Sequence, residues 1–197
     1  MEIIDEEITF EGFEPVKDQT INIIKVIGVG GGGGNAVENM YRQGIYNVSF
    51  AICNTDSQAL ESNAVPVKLQ LGPGLGAGGD PEKGKSYANE DLDQINRIFS
   101  DNTQMVFVTA GMGGGTGTGA GPIIAKAAKE KGLLTIGVVT LPFLFEQKHK
   151  INKALEGVAE MRKCVDALLV VNNETLRDIY SDYTLENAFQ KADEVLT

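Results

Sequence analysis

The chain has 197 residues, enough for one compact domain with a substantial core and too few for two. Its apolar content of 42% favours a folded body, and its net charge of −10 argues against nucleic acid as a partner. No run approaches the roughly 20 apolar residues of a membrane span, and no secretory pattern opens the chain, so a cytoplasmic protein without direct membrane insertion is expected.

The charge is unevenly placed. Within residues 1–20, Glu2, Asp5, Glu6, Glu7, Glu11, Glu14 and Asp18 face Lys17 alone, which puts −6 of the total on this stretch. It has neither helical nor strand periodicity and reads as a solvated acidic arm. The folded domain is expected over residues 21–180, with the start of a further helix at 181–197.

The first strand is expected at Ile23–Ile27. It runs into Gly28-Val-Gly-Gly-Gly-Gly-Gly-Asn35, ahead of a helix Asn35–Gln43 that stops at Gly44, a plausible glycine cap. The glycines fit G-x-G-x-x-G through Gly28, Gly30 and Gly33. Asp56, beyond the second strand Val48–Cys53, could serve as the ribose-binding acid of a dinucleotide fold. Five consecutive glycines satisfy almost any such pattern, so the firmer inference is physical: backbone N–H groups at a helix N-terminus, open to an anion.

A third strand, Val65–Leu71, leads to the glycine-rich loop Gly72–Gly79. Asp80-Pro81 then looks like a helix start, and Leu92, Ile95 and Phe99 continue an apolar stripe. Residues 79–86 match the phosphate-loop pattern G-x-x-x-x-G-K-[ST] literally. The match is rejected because the motif should spring from a buried strand, whereas here a helix cap falls inside it.

The fourth strand, Met105–Thr109, precedes Gly111-Met-Gly-Gly-Gly-Thr-Gly-Thr-Gly-Ala-Gly121 and a helix Pro122–Lys131 ending at Gly132. Consecutive glycines can form a concavity for phosphate oxygens, with Thr116 and Thr118 adding hydroxyl donors. No lysine or arginine lies in the loop, so helix dipoles and a divalent cation would supply the neutralisation. Close helix–strand packing could account for two or three of these glycines. Strands Leu133–Thr140 and Ala167–Val171 flank a helical stretch within 146–163. His149 and its charged neighbours read as a solvated helix face, and Cys53 and Cys164 as free thiols.

Alternation of strand and helix implies an α/β fold, a doubly wound, mainly parallel Rossmann-like sheet flanked by helices. Ligands in such sheets bind at the carboxyl ends of the strands. Two glycine-rich strand-to-helix loops suggest two contacts on one polyphosphate, hence a nucleoside triphosphate. An NAD-dependent oxidoreductase, resting on the first loop alone, is the competing reading; a non-enzymatic nucleotide sensor is a third.

The run Gly113-Gly-Gly-Thr-Gly-Thr-Gly119 resembles the signature of the tubulin/FtsZ family of GTPases. Matches to the bacterial cell-division members follow in order: Lys25–Val37, Asn54–Leu60, Gly74–Gly78, Pro142-Phe143 with Phe145-Glu146, and Ala188–Asp193. The resemblance implies that Gly30, Gly31, Gly32 and Asn35 line the phosphates and base, and that Gly113, Gly114, Gly115, Thr116 and Gly117 cradle the β- and γ-phosphates. Glu146 would bind the ribose, Lys150 the nucleotide, and Asn173 the sugar or base edge. Phe189 would stack on guanine and Asp193 pair with its N1–H and 2-amino group. Their i, i+4 spacing puts both on one helix face, although Phe189 also fits an ordinary core stripe with Leu185, Ala192 and Leu196.

The implied ligands are GTP or GDP, with Mg2+ accompanying GTP, and the implied partners are further copies head to tail plus other proteins at the division site. This sequence departs from the family in three places. Only Gly72 and Pro73 separate Leu71 from Gly74, Leu141 replaces a common arginine, and Lys150 replaces an arginine and loses its planar fork. No Asn-x-Asp catalytic loop follows residue 180. The chain is therefore expected to be a piece of a longer protein that binds GTP but barely hydrolyses it alone.

Overall fold

A computed structural model describes residues 22–175 and residue 195. The acidic arm, Phe189 and Asp193 fall outside that range. Six strands form one sheet: β1 (Ile24–Val29), β2 (Val48–Asn54), β3 (Val67–Gln70), β4 (Met105–Gly111), β5 (Leu134–Leu141) and β6 (Ala167–Asn172). Their order is β3-β2-β1-β4-β5-β6, every pair parallel. The strand order reverses between β1 and β4, which places the ligand crevice of a doubly wound sheet above those two carboxyl ends.

The central strands are apolar on both faces because helices cover both. On one side α1 (Gly30–Arg42) and α2 (Ser57–Ser62) pack Val37, Met40 and Leu60 against Val26, Phe50 and Ile52. On the other, α3 (Pro81–Glu90), α4 (Leu92–Ile98), α5 (Thr116–Glu130) and α6 (Lys148–Cys164) bury Ala88, Ile95, Ile124 and Met161 against Val29, Val108 and Val139.

Two helices begin well before their expected starts. Gly30–Gly34 form the first turn of α1, and Thr116–Gly121 belong to α5, whereas Met112–Gly115 remain a loop leading to it. Glycine's poor helix propensity is overridden by tertiary fit. A Cβ on Gly33 would lie 2.3 Å from the Thr109 carbonyl oxygen, and one on Gly117 would lie 2.4 Å from that of Gly111. Only glycine lets these turns rest directly on the strand ends. Pro122 consequently sits inside α5.

The helix expected from Asp80 is broken at Asp91. That carboxylate accepts from the Gly72 N–H at 2.7 Å, a partner 19 residues away that no local pattern reveals. Asp80 caps α3 as expected, accepting from the Glu82 N–H with Pro81 in the first turn. The false phosphate loop is explained too. A Cβ on Gly84 would meet the Gly115 carbonyl oxygen at 2.5 Å, so this glycine serves the close approach of α3 to α5.

Candidate functional site

The topology aims two helix N-termini at one place. The α1 helix starts directly after β1, and α5 starts four residues beyond β4, so both present free backbone N–H groups above the switch point. Between them lies a cavity of about 460 Å³. Gly31, Gly32 and Asn35 line it from α1; Gly114, Gly115, Thr116 and Gly117 from the start of α5; Glu146, Lys150 and Asn173 from the far side. Gly111 and Met112, which open the glycine-rich run after β4, and Thr140 and Pro142, given no site role from the sequence, complete the lining. Thr140 sits near the end of β5, and that strand-end position was the signal that could have found it.

The glycines divide into two kinds. Gly31 and Gly114 would carry a Cβ into open space. Gly32 and Gly111 would make only ordinary contact, whereas Gly30, Gly113, Gly115 and Gly117 are held by close contact or by backbone shape. Gly30, with φ +72°, lies behind the lining, where its Cβ would meet the Gly117 nitrogen at 3.0 Å. Gly113, with φ +102°, allows the stem of Lys150 to pass, since a Cβ there would lie 2.8 Å from Lys150 Cγ. Neither Gly30 nor Gly113 lines this cavity. Packing thus explains more of the run Gly113–Gly119 than the two or three positions expected.

The two threonines of that run part company. Thr116 is half-buried and lines the cavity. Thr118 is buried, and its hydroxyl accepts from the Gly113 N–H at 2.8 Å. The expected second hydroxyl donor does not line the cavity and instead shapes the loop as an acceptor, a correction that follows from its inward position on α5.

Glu146 and Lys150 form a hydrogen-bonded ion pair across one turn, and Glu146 Oε1 also accepts from the Phe143 N–H at 2.9 Å. They are the charged side chains of the lining and they cancel. Attraction for an anion must come from N–H groups and helix dipoles. Asn173 is buried, and its Oδ1 has no hydrogen-bond partner among the described residues. A buried acceptor left open beside a cavity is costly unless a ligand supplies the donor. Phe189 and Asp193 lie outside the described residues. His149 is exposed on α6.

Asp56 has a structural role: its Oδ1 accepts from the Gln58 and Ala59 N–H groups as the cap of α2, which accounts for this acid without a ribose. A larger groove, about 990 Å³, lies between α3, α5 and α6 and is lined by those helices alone. Its charges are mixed, and two of its lysines pair with glutamates of the same lining, Lys126 with Glu130 and Lys163 with Glu160. Among the described residues no helix is long and apolar enough to cross a membrane.

Residues 23–181 match the Tubulin/FtsZ family, GTPase domain. A cell division protein FtsZ from Porphyromonas gingivalis is 62% identical over 180 residues, which are 89% of this chain and 39% of that protein. Among solved structures, an empty FtsZ dimer from M. jannaschii superposes with TM-score 0.86 at 40% identity, covering 91% of this chain and 53% of the other. A GTPγS-bound protofilament of CetZ2 from Haloferax volcanii gives 0.78 at 27% identity, over 88% and 55%. The chain thus spans about half the length of these solved chains or less of its curated relative.

Proposed function

This chain belongs to the tubulin/FtsZ family of GTPase domains, and on that premise we propose that its cavity binds GTP and GDP for a filament-forming cell-division GTPase. The observation that carries the reading is the convergence of two helix N-termini on one cavity through the side-chain-free faces of Gly31 and Gly114. Polyphosphate is the ligand such a cradle suits, because its oxygens accept several N–H bonds at once.

The remaining roles follow from position. Gly32 and Asn35 would meet the nucleotide from α1, and Gly115, Thr116 and Gly117 would hold the β- and γ-phosphates from α5. Gly30 and Gly113 support that cradle from behind. Glu146 would take the ribose, steadied by Lys150, and the open Asn173 Oδ1 would accept from the sugar or base. Phe189 and Asp193 would stack on and pair with guanine. A magnesium ion would be carried in on the phosphate oxygens and keep much of its water, for which the Thr116 hydroxyl and Asn35 amide oxygens of the lining could act as acceptors.

Turnover by the chain alone is expected to be slight. Glu146 is the one carboxylate lining the cavity among the described residues, and Lys150 and the Phe143 N–H already occupy it. A base for water would come from a second copy docked head to tail, a contact that propagates into filaments. Coupling hydrolysis to assembly in this way would suit the whole protein to a cytoplasmic division site, with other division proteins as further partners.

Calorimetric titration of the chain with GDP, ADP and NAD side by side tests the reading. Binding of GDP alone is expected. Tight binding of NAD or ADP without GDP would overturn it, and robust GTP turnover by the isolated chain would overturn the shared-site mechanism.

A further inference from the structure

Thr55 is 1% exposed and follows β2, outside the lining of the nucleotide cavity. Its Oγ1 lies 2.7 Å from the Oγ1 of Thr116, the hydroxyl that does face the cavity. The main chain around Thr55 is pinned on both sides. Its carbonyl oxygen accepts from the Gly76 N–H at 2.8 Å, and the Ser57 N–H donates to the Gly74 carbonyl oxygen at 3.0 Å. The Thr55 oxygen is thus a fixed point beside a rotatable hydroxyl.

Proton count decides what that contact does. Each hydroxyl has one hydrogen to donate and two lone pairs. With nothing else in reach, either threonine can donate to the other. A phosphate oxygen only accepts. Once the Thr116 hydrogen points to a phosphate, the hydrogen between the two threonines must be that of Thr55. Bonds aligned in one sense polarise and strengthen each other.

We propose that Thr55 is a positioning residue for phosphate binding: it donates to Thr116 Oγ1 and so aims the Thr116 hydroxyl at a phosphate oxygen of the bound guanine nucleotide. This deepens the nucleotide-binding reading and rests on it. It adds a residue from the β2 loop to a cradle otherwise built from α1 and α5, and it gives the pair a direction that the two hydroxyls alone leave open.

The test is a double-mutant cycle on the full 197-residue chain, read by GDP calorimetry, with thermal unfolding of each unliganded variant alongside. Thr55→Val keeps the shape and removes the donor. It should weaken GDP binding roughly three- to tenfold, the effect of one hydrogen bond, while Thr55→Ser stays within about twofold. In a Thr116→Val background, Thr55→Val should cost no further affinity. A merely structural Thr55 would lower the thermal midpoint and leave affinity alone. GDP binding by Thr55→Val equal to that of the unmodified chain, or the same loss in both backgrounds, would overturn the proposal. If Thr55→Val does not fold, Thr55→Ala takes its place with the same expectation. Failure of the unmodified chain to bind GDP would instead sink the nucleotide reading itself.

Discussion

The two ends of this sheet solve opposite problems. At the amino end, Lys25 is 6% exposed and is held by the Ile98 carbonyl oxygen and Asp101. Asp101 in turn accepts from Thr103, and Asp166 accepts from the Thr135 N–H and pairs with Lys129. Charged side chains close that end permanently. At the carboxyl end the walls are largely backbone, and the two charges present cancel. An end meant to receive an occupant keeps its donors free; an end meant to stay shut satisfies them with its own side chains.

The comparison breaks most visibly at the packed glycines. Gly119→Ala would put a methyl carbon 2.0 Å from the Pro81 carbonyl oxygen and 2.7 Å from the Lys85 nitrogen. The α3 and α5 helices must then separate, and urea unfolding should register a loss of about 3 kcal/mol or more. The open glycines should behave oppositely. Gly31→Ala and Gly114→Ala should leave unfolding within about 0.5 kcal/mol while weakening GDP binding about tenfold or more, roughly 1.4 kcal/mol. If either lost stability and kept affinity, the division of the glycines into packed and open would be wrong.

A smaller effect is expected where the site's rim is strained. Gln147 has φ 86° and ψ 136°, a conformation suited to glycine, between Glu146 and the first turn of α6. Gln147→Gly should therefore raise the thermal midpoint, by about 1 kcal/mol of stability.

The smallest effect belongs to the amino end. Partial burial pushes the Asp101 carboxyl up, but hydrogen bonds from Lys25 and Thr103 and the Lys25 charge outweigh it and hold the group below its ordinary 3.8. Its contribution is present above that ordinary value and fades as pH falls through the lower folded one. Solvent screening at this half-exposed carboxylate keeps it to no more than about 1 kcal/mol. Asp101→Asn should flatten stability below pH 3.8 relative to the unmodified chain, in paired acid titrations of unfolding.

Strands were the most legible part of the sequence, because apolar, β-branched runs have few alternatives in a sheet covered on both faces. All six are present. β3 is shorter than Val65–Leu71, and β4 and β5 run on past Thr109 and Thr140. The helix starts at Gly30 and Thr116 were not legible, since local propensity reads glycine runs as loop while the deciding contacts come from Thr109 and Gly111. Asp91 broke a helix through a bond to Gly72, and Thr118 turned inward to Gly113. In the site, the glycine loops announced an anion cradle by composition. Asn173 entered only through resemblance, because one asparagine carries no pattern of its own.

The cancelling pair Glu146–Lys150 has a consequence for how the site would respond to its medium. Attraction that relies on solvent-exposed lysines and arginines is screened and weakens as salt rises. Short hydrogen bonds from oriented peptide groups in a partly enclosed cradle are screened much less. Between media of different ionic strength, occupancy should then follow nucleotide supply more closely than salt.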